Sequence, residues 1–121
     1  SMDEMDIKFY LALATSYAKV FQPSSLDSTK TSALPLDSEL SKTLFYLTIK
    51  SLKNVLQIDS NNYGANFNLA IYYYNQGALR ALSIDAGTEI EDLFLIKAYG
   101  LEMFAKALPF MLKAHQLRNR E

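Results

Sequence analysis

Three observations predict an all-α fold. Apolar residues recur at three- and four-residue steps through most of the chain, and no segment shows sustained alternation with hairpin turns between copies. Clusters of turn-forming residues also divide the chain into four pieces. The 121 residues, half of them hydrophobic, fit one domain (1–121) with a real core. Two helical hairpins in series are expected.

The first helix is expected from Asp6 to Phe21, because Ile7, Tyr10, Leu11, Ala14, Tyr17 and Ala18 fall on one face. Pro23 disfavours helix in the residue before it and ends the run. Ser24 to Pro35 is rich in Ser, Thr, Asp and Pro and reads as an exposed insertion loop over 24–35. Asp37 or Ser38 caps the second helix, whose stripe of Leu40, Leu44, Leu47, Ile49, Leu52, Val55, Leu56 and Ile58 is widened by Phe45 and Tyr46.

Asp59 to Asn62 forms the turn, and Asn62 caps a third helix running to about Ser83. Its expected core is Asn66, Leu69, Ala70, Tyr73 and Gly77. Thr88 and Glu91 have capping-box spacing at the start of a long fourth helix, which ends near Leu117 with a basic last turn. Pro109 removes the hydrogen bond to the Ala105 carbonyl, so a kink or short break is expected there.

Composition narrows the function classes. Twelve basic against 13 acidic residues leave no clustered positive footprint for nucleic acid. No window reaches the roughly eighteen uncharged apolar residues of a membrane span. Cysteine is absent, which removes disulfides and thiolate chemistry. His115 is the only histidine and lacks a carboxylate three residues earlier, so it reads as a solvated residue and not a metal ligand. Glu89, Glu91 and Asp92 suit the positive end of a helix better than paired acid–base work. Gly77 and Gly100 are isolated, so no phosphate-cradling loop is present. No catalytic residue, metal site or cofactor is expected.

The chain repeats. Tyr10-x2-Leu13-Ala14-x2-Tyr17 on the first helix matches Asn66-x2-Leu69-Ala70-x2-Tyr73 on the third, 56 positions later. Ala107, Met111 and Ala114 on the fourth helix correspond to Thr48, Leu52 and Val55 on the second. This pattern resembles the tetratricopeptide repeats, with one repeat over about 6–60 and a second over about 62–121. Small residues let helices approach, and the tyrosine fills the adjoining gap. The closing Pro of the family is replaced by Ser60 and Asn119, and the family period is about 34 residues. Each copy is therefore expected to carry an insertion.

The resemblance implies a short α-solenoid that binds a protein or peptide in a groove lined by the first helix of each repeat. The groove residues it implies are Lys8, Leu11, Thr15 and Lys19 on the first helix, and Phe67, Ile71, Tyr74 and Asn75 on the third. Such a surface is apolar and aromatic with a basic margin. The Lys and Asn clamp that some members use for a C-terminal carboxylate is not expected, since Leu11 and Thr15 stand at its positions. Tyr72, Tyr73 and Tyr74 are consecutive and cannot all face one core, so at least one is a candidate contact anchor. A four-helix bundle acting as a homodimer is the alternative, and it requires the first and fourth helices to pack together. Two repeats are few for independent stability, so the insertions, a dimer mate or further repeats are expected to supply the missing core and cover exposed faces.

Overall fold

A computed structural model describes residues 2–21 and 38–119. Every regular element among them is helical: α1 (Met2–Phe21), α2 (Glu39–Ile58), α3 (Tyr63–Ala81) and α4 (Ile90–Arg118). The expected insertion loop at 24–35 lies outside the described residues. α1 begins four residues earlier than the apolar period indicates, and Asp3 and Glu4 occupy its first turn.

Local chemistry sets the other boundaries. Ser38 caps α2, its hydroxyl accepting from the Ser41 amide at 3.1 Å. The α2–α3 turn is hydrogen-bonded from both sides. Asp59 Oδ1 accepts from the Asn61 amide, and Asn62 Oδ1 caps α3 by accepting from the Ala65 amide at 2.8 Å. Buried Asn66 then reaches back, its Nδ2 donating to the carbonyls of Asn62 at 2.9 Å and Ser60 at 3.2 Å. An apolar side chain there would leave both carbonyls without that donor.

Two expectations about α4 need correction. The Thr88–Glu91 capping box does not form. Thr88 Oγ1 instead accepts from the Asp85 amide at 2.9 Å, so the threonine belongs to the preceding turn and Glu89 caps the helix without a side-chain bond. Of the kink or short break expected at Pro109, the break does not occur, since α4 is continuous from Ile90 to Arg118. Both Pro109 and Ala105 are exposed, so the carbonyl that Pro109 leaves unpaired is on the solvent side.

The helices pack in chain order: α1 on α2, α2 on α3, and α3 on α4. Among the described residues, α1 and α4 build no interface of that kind, so the bundle-closing contact of the alternative architecture is missing. Tyr73 links the hairpins. Its ring meets Phe45 of α2 edge-on at 5.8 Å and stacks on Phe110 of α4 at 6.2 Å. Leu52, Val55, Ala65 and Leu69 are fully buried around it. The α3–α4 crossing is close at Gly77, where an added Cβ would lie 3.1 Å from the Gly100 Cα. Only a hydrogen fits there without spreading the backbones.

The residues that carry the repeat are mostly inside. Asn66, Leu69, Ala70 and Tyr73 are all buried, as are Thr48, Leu52 and Val55. Of the motif residues on α1, Ala14 is buried, while Tyr10, Leu13 and Tyr17 are half-buried. On α4, Ala107 and Ala114 are buried but Met111 is exposed.

Candidate functional site

The eight groove residues expected from the sequence fall into two unequal sets. On α1, Lys8, Thr15 and Lys19 are exposed, but Leu11 is half-buried and packs against the core. Thr15 turns its hydroxyl back to the Leu11 carbonyl at 3.0 Å. On α3, Phe67 and Tyr74 are exposed, and Ile71 and Asn75 are half-buried. Phe67 also stacks on exposed Tyr63 at 5.7 Å. Among the described residues no α1–α3 interface comparable to the three principal ones joins the sets. The α3 half is thus an exposed aromatic strip, whereas the α1 half is mainly polar.

The three consecutive tyrosines separate as helical geometry requires. Tyr73 is in the core, Tyr74 is outside, and Tyr72 is half-buried against the core cluster. Burial pushes the Tyr72 phenol above its ordinary value, because the phenolate is the form that loses hydration.

A groove that the sequence does not announce lies between α2 and α4. It encloses about 490 Å³ and has Phe45, Ile49 and Tyr73 among its lining residues. Ile49 and Tyr73 are buried, so they form a floor, while Tyr46 is exposed at the edge. Three lysines stand around it: Lys50, Lys53 and Lys106. Lys50 lies 5.9 Å from the centre of the Tyr46 ring. Lys106 pairs with Glu102 at 3.4 Å across one turn of α4, an exposed pair of small energetic weight. Among the described residues no carboxylate lines the groove.

The sequence held one part of this signal. Lys50 and Lys53 fall on the polar side of α2, where charge reads as ordinary solvation. Only the fold brings Lys106 from more than fifty positions away to face them.

A second hollow, of about 620 Å³, sits at the α3–α4 connection. Arg80 lies over the Tyr99 ring at 5.0 Å, with Asp85, Glu89 and Asp92 nearby. Its walls include the hydrogen-bonded Asp85–Thr88 turn and carry both charge signs. It lacks the buried apolar floor of the α2–α4 groove, so it is the weaker candidate for a partner's side chain.

His115 is exposed, with Nε2 3.2 Å from Asn119 Nδ2. Among the described residues no three His, Cys, Asp or Glu side chains are grouped to hold a metal ion. No described helix is long and apolar enough to cross a membrane. No protein-family model, curated protein or solved structure matches the chain.

Proposed function

We propose that the chain is a non-catalytic protein-interaction module of tetratricopeptide-like character, which holds a peptide or a segment of a partner subunit between α2 and α4. The observation that carries this reading is the pairing of an apolar aromatic floor with a lysine rim. Buried Ile49 and Tyr73 offer a place for a large apolar side chain, and Lys50, Lys53 and Lys106 suit flanking carboxylates. The lysines are exposed, so they mainly speed and orient association, while the floor supplies the affinity.

Display of random peptides on the full chain tests this reading. Enriched peptides should carry one or two large apolar residues next to Asp or Glu. Lys53→Glu combined with Lys106→Glu should weaken them more than about tenfold, with helicity by circular dichroism unchanged. Phe67→Ala with Tyr74→Ala should leave binding intact. The opposite pattern would return the site to the surface of Lys8, Leu11, Thr15, Lys19, Phe67, Ile71, Tyr74 and Asn75.

A further inference from the structure

The outer face of α4 is the largest feature that this reading leaves unused. Ile90, Phe94, Leu101, Phe104, Leu108 and Met111 are all exposed, and Phe94 is 68% so. Their numbers advance in alternate steps of four and three, with Lys97 and His115 at the two remaining positions of the series. That rhythm keeps side chains in line along a helix and is the spacing by which one helix packs lengthwise on another. The face that α4 turns to the core lies elsewhere on the helix, on Met103, Ala107, Phe110 and Ala114. Among the described residues, α4 therefore carries two apolar faces and has a principal neighbour on one.

We infer that the outer face of α4 packs against the same face of a second copy of this chain, with the two helices antiparallel about a two-fold axis near Glu102. Three observations select this occupant. The first is area: six aromatic and long aliphatic side chains, each 38–68% exposed, present an area on the order of the ~800 Å² that each partner buries in a standard interface.

The second is charge. α4 begins with acidic Glu91 and Asp92 and ends with basic His115 and Arg118. Antiparallel pairing sets the acidic turn of each copy beside the basic turn of the other, whereas parallel pairing sets like beside like. The third is register. The two-fold places Leu101 against Phe104 and Phe94 against Met111, and pairs the central charge, Lys97, with Leu108. The Lys97 stem can lie along that leucine while its ammonium reaches water. A two-fold contact of this kind closes on itself and makes a dimer, not a fibre.

The inference is independent of the α2–α4 groove, whose α4 contribution, Lys106, is outside the stepped series. Sedimentation equilibrium on the full chain, read over a dilution series, tests it. The expected result is a mass twice that of the chain that falls to the single mass on dilution. Leu101→Glu and Phe104→Glu should each weaken the dimer at least about a hundredfold with unchanged helicity, and Lys97→Leu should tighten it. The chain has no cysteine, so single spin labels report orientation directly. Labels on Glu91→Cys should be farther apart than labels on Glu102→Cys by about 30 Å. A monomer at every concentration overturns the inference and assigns the face to a helix of another protein. A dimer indifferent to both glutamates, or equal distances for the two labels, also overturns it.

Discussion

α3 and α4 pack on each other, yet they distribute apolar residues differently. α3 separates them: Leu69, Ala70, Tyr73 and Gly77 are buried on one side, and the adjoining side carries the short aromatic strip of Tyr63, Phe67 and Tyr74. α4 does not. Only Met103, Ala107 and Ala114 are buried on its 29 residues, while large apolar side chains are exposed from Ile90 to Leu112. A helix in contact with two neighbours can bury most of its apolar surface, and α3 lies between α2 and α4. Among the described residues α4 has one principal neighbour, and the large apolar side chains on its other face stay exposed. The difference shows that apolar periodicity measures how many partners a helix needs, and not how many its own chain provides.

Substitutions can break this comparison, the strongest first. Tyr73→Ala removes the ring between Phe45 and Phe110, and should cost about 3–5 kcal/mol by urea unfolding. Phe104→Ala, measured on dilute chain, should change stability by no more than about 0.5 kcal/mol. Similar losses at the two sites would mean that α4 is covered by its own chain.

Asn66→Leu tests the turn that joins the hairpins. It should cost about 1–3 kcal/mol, because the Asn62 and Ser60 carbonyls lose their buried donor. The two glycines sharpen the picture of the α3–α4 crossing. Gly77→Ala drives a Cβ to 3.1 Å from the Gly100 backbone and should cost about 1–2 kcal/mol despite better helix propensity. At Gly100 a Cβ meets nothing within 4 Å, so Gly100→Ala should gain up to about 1 kcal/mol. Thermal melts of the two variants should therefore move in opposite directions.

Tyr72 gives the smallest effect. Its folded value lies above the ordinary 10.0 because burial disfavours the phenolate. The unfolded chain ionises first, so this contribution to stability is complete below that value and is lost as pH rises through the folded one. Tyr72→Phe should flatten this alkaline loss in urea midpoints measured against pH.

Much of the fold was legible because helical period and cap chemistry are local. Ser38 and Asn62 cap as their residue types suggest, and the five expected core residues of α3 are all buried. Thr48 and Ser51 are buried too, which hydropathy does not indicate. Each hydroxyl donates to the carbonyl one turn back, at 2.8 Å, and so enters the core satisfied. Thr88 escaped because one hydroxyl had two possible uses, and the local turn took it. Leu40 sits on the expected α2 stripe but is 55% exposed, since period alone does not say where the stripe runs out of neighbours. The α2–α4 groove was not legible, because its rim joins lysines that only the tertiary fold brings together.

The contrast between a covered and an uncovered face of α4 is tested most directly by thiol labelling at adjacent positions, Ala107→Cys and Leu108→Cys. Ala107 is buried and Leu108 exposed. The cysteine at 107 should react slowly at every protein concentration. The one at 108 should react rapidly in dilute solution and become protected as concentration rises. Equal rates at the two positions, or protection at 108 that persists on dilution, would contradict the account.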